Sequence, residues 1–339
     1  MKYNLLGKTG LKVSELCMGT MTFGGKGYFK PIGTLGQEPI DALMKRAIDD
    51  GINFIDTANV YSEGLSEELT GKSIRNLGLH REELVLATKV RGKMGDGPND
   101  SGLTRKHIIL QAEASLRRLQ VDYIDLYQIH SYDPLTPFEE TLSAMDDLVR
   151  SGKVRYIGAS NLSAWQLMKA LSISEYHRIA MFVSLQAYYT IAGRDLEREL
   201  LPLLKDQHVG LMVWSPLAGG LLSGKYNRNK EKDAEGRRVN FDFPPVNRER
   251  AFDIIDELQR MATGKNTTVA GLALAWLLHQ PAVTTVIIGA NKMEQLEDNL
   301  KSVDLKFSSE ELEKLDKISR LPAEYPGWML ERTGGDRKI

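Results

Sequence analysis

The chain has one cysteine, no long apolar run and almost no imbalance of charge. With a single cysteine an internal disulfide is excluded, and the position of Cys17 in an apolar strand makes it a buried small hydrophobe rather than a reactive thiol. No uninterrupted apolar stretch approaches the roughly 20 residues that a spanning helix needs. The opening MKYNLLGKTGLKV carries neither the apolar centre nor the small-residue cleavage site of a secretory signal, so a cytoplasmic location is expected. Basic and acidic residues number 44 and 45, leaving a net charge of −1 and no overall field to attract nucleic acid or an anionic membrane. Small molecules are the expected partners. Hydrophobic residues at 42% and charged residues at 26% suit a globular protein with a sizeable core and exclude disorder or a fibrous repeat. The length of 339 residues admits one or two domains, so periodicity has to decide.

Eight short runs rich in β-branched and apolar residues recur along the chain, each bounded by Gly, Pro, Asn, Asp or Ser. They are ELCMGT near Thr20, NFIDT near Thr57, LVLATKV near Val90, IDLYQIH at His130, YIGASN at Asn161, FVSLQAYY at Tyr189, GLMVWSP at Pro216 and TTVIIGA at Ala290. Between them lie amphipathic segments. In LTRKHIILQAEASLRRLQ, Ile108, Ala112, Leu116 and Leu119 share one face, and Thr104 can cap its start. PFEETLSAMDDLVRSG ends at Gly152, and Ser163 is the expected N-cap of SAWQLMKALSI. Near-continuous apolar strands alternating with helices favour a parallel (β/α)₈ TIM barrel over a doubly wound sheet. Nothing in the composition marks an interdomain linker, so residues 1–339 read as one barrel domain.

Two decorations are expected. Tyr3 to Leu6 and Lys12 to Glu15 flank the turn GKTG and read as a hairpin plugging one barrel end. Ser223 to Arg250 is a charged segment without apolar period, too long for an ordinary connection, and reads as a surface flap after strand seven.

Barrel enzymes carry their chemistry at the C-terminal ends of strands, where polar residues interrupt the apolar pattern. Asp56 ends strand two, Tyr61 follows it, Lys89 ends strand three and His130 ends strand four. Carbonyl reduction needs such a set, because hydride arriving at carbon leaves a negative oxygen that must take a proton. Tyr61 is the natural donor. An ammonium at Lys89 would favour its phenolate and lower its pKa, and Asp56 would keep that lysine protonated. His130 could orient the carbonyl oxygen or share in proton transfer. Each residue has a structural alternative: a capping Asp, a packed Tyr, a solvated Lys, a core His. The coincidence of all four at one mouth carries the inference.

With these segments the sequence resembles the aldo-keto reductase superfamily, from LGKTGLKVSELCMGT to GANKMEQLEDNL. FIDTANVYSEGLSEELTGKSI is similar to the family's tyrosine segment, LATKV to its lysine strand, IDLYQIH to its histidine strand and VRYIGASNLS to its nicotinamide segment. The resemblance implies that Asp56, Tyr61, Lys89 and His130 form a catalytic tetrad and that NADPH is the cofactor, with NADH less favoured. The family binds its dinucleotide without the G-x-G-x-x-G fingerprint, which no expected strand here precedes. The resemblance further implies cofactor contacts from Gly19, Thr20 and Met21 after strand one, with Asp56 beneath. Ser160, Asn161 and Gln186 would hold the carboxamide, and Trp214 would stack on the nicotinamide. Ser215, Pro216, Leu217, Gly219, Gly224 and Lys225 would surround the pyrophosphate. Gly289, Asn291, Gln295, Asp298 and Asn299 would take the adenosine, and Lys292 at a helix start suits a 2′-phosphate. Gln295 stands where some relatives have an arginine for that phosphate, which transfers the task to Lys292 and to Arg237 or Arg238 in the flap.

The branch resembled contains bacterial general reductases and potassium-channel β subunits, so a cofactor-sensing accessory subunit remains an alternative to an enzyme. A barrel aldolase with Lys89 as Schiff-base nucleophile is another. The carbonyl substrate stays open between a small aldehyde, a sugar and a ketone. Loops after strands one, four and seven should line its pocket, with Phe23, Tyr28, Phe29, Tyr132 and Trp165 as aromatic walls. The tail EYPGWMLERTGGDRKI reads either as a flap over the mouth, with Trp328 as lid, or as a free end. Monomer and homo-oligomer are both open.

Overall fold

The computed structural model describes residues 1–228, 238 and 241–335. A hairpin comes first: β1 (Tyr3–Leu5) pairs antiparallel with β2 (Lys12–Ser14). The GKTG turn needs its first glycine. Gly7 has φ +60°, and a Cβ there would lie 2.3 Å from the Val183 carbonyl oxygen.

Eight parallel strands then close on themselves: β3 (Leu16–Gly19), β4 (Phe54–Asp56), β5 (Val85–Val90), β6 (Ile124–Ile129), β7 (Val154–Ser160), β8 (Phe182–Tyr188), β9 (Gly210–Trp214) and β10 (Val283–Ile288). They coincide with the eight runs expected from the sequence, and the order β10-β3-β4-β5-β6-β7-β8-β9 is that of a (β/α)₈ barrel. The outer helices are α1 (Gln37–Asp49), α2 (Leu65–Asn76), α3 (Arg105–Leu119), α4 (Phe138–Arg150), α5 (Ala164–His177) and α6 (Leu200–Asp206). After β9 come α7 (Arg248–Lys265) and α8 (Val269–Leu278), then α9 (Met293–Lys301), α10 (Ser309–Ser319) and α11 (Gly327–Thr333).

The caps behave as the sequence suggests. Thr104 accepts from the His107 amide, Ser163 and Gln166 form a capping box, and Gly152 has φ +76° just past α4. The apolar helix VAGLALAWLL of α8 is packed inside the protein, and among the described residues no helix is long and apolar enough to cross a membrane.

Side chains of period two divide each strand between two cores. Leu86 and Val90 of β5 face the helices, whereas Val85 and Ala87 point inward to meet Cys17, Phe54, Leu126 and Met212. Leu6 and Val13 of the hairpin join that inner cluster, so the hairpin does plug one end. Cys17 is fully buried there, and burial pushes its thiol well above the usual range, as suits an inert hydrophobe. One step further along the strands, the inward positions become Asp56, Lys89, Gln128 and Gln186. A polar floor thus sits on an apolar barrel, at the C-terminal face.

Candidate active site

Lys89 organises the floor. Its side chain is fully buried, and its ammonium donates to Asp56 Oδ2 at 2.5 Å, the Thr57 carbonyl at 2.9 Å and Tyr61 Oη at 3.1 Å. Three donors meet three acceptors. Burial opposes the charge on Lys89, but the carboxylate of Asp56 and the phenol oxygen of Tyr61 outweigh it and hold the pKa above the ordinary lysine value. An amine so held is a poor nucleophile, which weighs against the Schiff-base alternative.

A tight turn delivers Tyr61. It opens a 3₁₀ turn, Tyr61–Gly64, in which Ser62, Glu63 and Gly64 have φ of 50°, 59° and 92°. Two non-glycine residues in left-handed conformation cost roughly 1–2 kcal/mol each. The turn is held because Ser62 Oγ donates to the Phe23 carbonyl and accepts from the Gly25 amide, both at 2.9 Å. The Tyr61 ring is thereby packed under Phe29, with centroids 5.2 Å apart, and edge-on to His130 at 5.8 Å.

The acidity of Tyr61 differs from the sequence expectation. Burial raises its pKa, Lys89 lowers it and Asp56 raises it, and the balance lies above the usual phenol value. Lys89 acts in the expected sense but does not win, because desolvating a phenolate beside a carboxylate costs more than one ammonium returns. Tyr61 therefore keeps its proton at neutral pH. His130 is pulled down to about 3 by burial and by the positive charges of Lys89 and Arg91. It is neutral there, and a neutral imidazole can donate one hydrogen bond and accept another.

Tyr61 and His130 stand on the floor of a cleft of about 590 Å³ that runs across the mouth to α9. Of the described residues expected to touch the cofactor, all line it except Gly224, Arg238 and Lys292. At the floor, Asn161 donates to the His130 carbonyl at 2.9 Å and to Ser160 Oγ at 3.0 Å, and accepts from the Trp214 indole at 3.1 Å. Trp214 is flanked by Tyr188 and by a near-parallel Phe243, with centroids 5.9 Å apart. At the far end, Gln295 accepts from the Asn291 amide, Asn299 donates to the Gly289 carbonyl and Asp298 accepts from Thr268. Lys292 is the N-cap residue of α9, but it is exposed and stands outside the cleft lining, whereas Lys225 lines it.

Arg238 does other work than expected. Its buried guanidinium donates to the Ala218 carbonyl at 2.6 Å and the Pro244 carbonyl at 2.9 Å, and pairs with Asp242 at 2.6 Å. Those bonds tie Arg238, Asp242 and Pro244, among the described residues of the flap, to the loop after β9. The fit is close: a Cβ on Gly219 would lie 2.3 Å from the Phe243 carbonyl oxygen. Arg237 lies outside the described residues.

The aromatic walls are also redistributed. Tyr28 and Phe29 line the cleft as expected, but Phe23 is buried in the core, while Trp165 and Tyr132 pack on each other outside the lining. Phe241 and Phe243 take their place, from the segment that sequence periodicity presents as merely charged. Their signal was the apolar pair in NFDF. Ring contacts run continuously from Tyr61 through Phe29, Tyr28, Phe241 and Phe243 to Trp214, with centroid spacings between 5.2 and 5.9 Å. The loops after β3 and β9 thus meet across the mouth. Loop four contributes only His130. Trp328 in α11 is outside the cleft lining, so the lid reading of the tail does not hold for it; residues 336–339 lie outside the described residues. Gln128 and Thr57, not singled out from the sequence, prove central to the floor. Gln128 was legible as a polar interruption at an inward position, two residues before His130.

Comparison with known proteins agrees with this fold. The chain is 40% identical over 327 residues to the uncharacterized oxidoreductase YrpG of Bacillus subtilis, covering 94% of this chain and 96% of the relative. It is 38% identical to a putative voltage-gated potassium channel subunit beta of Schizosaccharomyces pombe, over 93% of this chain and 92% of that one. It is 33% identical to versiconal hemiacetal acetate reductase of Aspergillus parasiticus, over 96% and 99%. The family model described as "Aldo/keto reductase family" matches residues 15–320, and the eight-stranded barrel accords with that match: the chain belongs to the aldo/keto reductase family, a family of oxidoreductases.

Proposed function

We propose that this protein is a cytoplasmic, NADPH-dependent reductase of aldehydes or ketones in which Tyr61 is the general acid. One observation carries the reading: a tyrosine 3.1 Å from a buried ammonium stands at the floor of a cleft lined from Tyr61 and His130 to Gln295 and Asn299 of α9. The residues fit such a cofactor. Glycines at 220 and 289 line the cleft and keep its walls low, since a Cβ at either would meet nothing within 4 Å. Ser160, Asn161 and Gln186 offer amide and hydroxyl groups to a carboxamide, and Lys225 and Lys292 supply positive charge for phosphates.

When bound, the nicotinamide supplies hydride to the carbonyl carbon. Negative charge then gathers on the carbonyl oxygen, where neutral His130 donates an N–H and Tyr61 Oη transfers its proton. The phenolate left behind is stabilised by the Lys89 ammonium, which Asp56 and the Thr57 carbonyl keep charged and aimed. Burial, which raises the resting pKa of Tyr61, preserves the proton until it is needed. The aromatic walls formed by Tyr28, Phe29, Phe241 and Phe243 favour a flat, apolar carbonyl compound over a sugar.

The test is NADPH oxidation with an activated aromatic aldehyde, run for wild type and Tyr61→Phe. Turnover by wild type alone supports the reading. A second reading, a cofactor-sensing accessory subunit, is favoured by the similarity to proteins named as potassium channel β subunits. It predicts tight dinucleotide binding with no turnover in either protein.

A further inference from the structure

Gln128 does not touch the cleft, yet it is fully buried among the reacting groups. It lies on β6 opposite Lys89 of β5 and Gly158 of β7. Its Nε2 donates to Asp56 Oδ1 at 3.0 Å. Its Oε1 accepts from Gln186 Nε2 at 3.2 Å, and the same Gln186 nitrogen donates to Asp56 Oδ1 at 2.9 Å. Asp56 uses its other oxygen for Lys89. The glycine at 158 makes room: a Cβ there would lie 3.2 Å from Gln128 Cγ and 2.7 Å from Ser184 Oγ.

The chemistry of the groups fixes the directions of these bonds. A carboxylate only accepts, so both amides must turn their nitrogens toward Asp56. Gln186 then has both N–H bonds drawn inward, one by Asp56 and one by Gln128, and its Oε1 is left facing the cleft that Gln186 lines. Among the described residues that oxygen accepts no hydrogen bond, whereas its neighbours are committed. Ser160 gives its proton to the backbone carbonyl of Gln186, and Asn161 donates to the His130 backbone carbonyl and to Ser160 and accepts from Trp214. Remove Gln128, and Gln186 is held inward by the Asp56 carboxylate alone, through one hydrogen bond instead of two.

We propose that Gln128 is a positioning residue that locks Gln186 with its amide oxygen toward the mouth, so that the cleft selects a ring bearing a hydrogen-bond donor, as a nicotinamide carboxamide does. The proposal rests on the cofactor reading above. Gln128 acts through Gln186 and Asp56 and meets neither substrate nor cofactor.

The experiment compares binding of NADP⁺ and of its acetylpyridine analogue, in which a methyl group replaces the carboxamide nitrogen, by quenching of tryptophan fluorescence in the full-length protein. Wild type should prefer NADP⁺ roughly tenfold, the scale of one well-made hydrogen bond in a partly dry site. Gln128→Met, of similar volume, should lower that ratio severalfold, because one of the two bonds that hold Gln186 is lost. Gln128→Glu serves as the rescue. Its protonated carboxyl donates to Asp56 and accepts from Gln186, so the preference should persist in acidic buffer. A wild-type ratio in Gln128→Met overturns the proposal, as does a ratio near one in wild type or in acidic Gln128→Glu. Should Gln128→Met fail to fold, Gln128→Leu, which likewise removes both bonds, takes its place. Wild type binding neither dinucleotide removes the cofactor reading itself, and is thereby distinguished from a failure confined to Gln128.

Discussion

The floor of the cleft and its rim are built on opposite terms. At the floor Lys89 is fully buried, its donors are all spent, and the groups around it come from adjacent barrel strands and the turn that follows β4. At the rim Lys225 and Lys292 are exposed, and the flap is tied down through Arg238 and the ring contacts of Phe241 and Phe243. In a dry, crowded floor each charge is felt strongly by its neighbour, whereas water weakens the same charge at the rim. Chemistry should therefore depend steeply on a few floor residues, and cofactor choice shallowly on several rim residues.

The sharpest way to break that contrast is Tyr61→Phe. Loss of the general acid should lower turnover roughly 10²–10⁴-fold with cofactor affinity unchanged, because the proton moves only in the transition state. Steady-state assay and fluorescence titration check both halves, and retained turnover would remove Tyr61 from its role. Next in size is Arg238→Ala. Hydrogen bonds from a charged group are worth about 1.5–3 kcal/mol each, so loss of the clamp should speed NADPH release at least about tenfold. Stopped-flow release of NADPH and NADH should change equally, since Arg238 holds the flap; an effect on NADPH alone would reassign it to the 2′-phosphate.

His130 tests the floor by pH. Its folded pKa of about 3 lies below the ordinary histidine value near 6.5, so between those values the unfolded chain binds more protons. Stability should fall as pH drops through that window and level off beneath it. In urea titrations His130→Asn should show a shallower fall, and an unchanged slope would mean that His130 is protonated in the folded protein. The smallest effects belong to the exposed cations. Lys225→Ala and Lys292→Ala should each shift the NADPH to NADH affinity ratio only a fewfold, as suits exposed pairs worth about 0.2–1 kcal/mol. The shift should shrink with added salt.

The same contrast explains what could be read in advance. The eight strands were legible because apolar runs bounded by turn residues repeat down the chain, and the floor because polar residues interrupt those runs at strand ends. The rim was not. Arg238 looked like a phosphate ligand because sequence gives its charge but not the Ala218 and Pro244 carbonyls that occupy it. Phe23, Tyr132 and Trp165 looked like pocket walls because an aromatic residue in a loop carries no sign of which way it turns.

By itself the sequence determined the barrel, the hairpin plug and the placing of Asp56, Tyr61, Lys89 and His130 at one mouth, since these follow from local periodicity and from residue types at strand ends. Only the tertiary structure decided that burial outweighs Lys89 at Tyr61, that His130 stays neutral, and that Gln128 joins Asp56 to Gln186. Those outcomes depend on desolvation and on distances between groups up to 130 residues apart, quantities that exist only once the strands have closed.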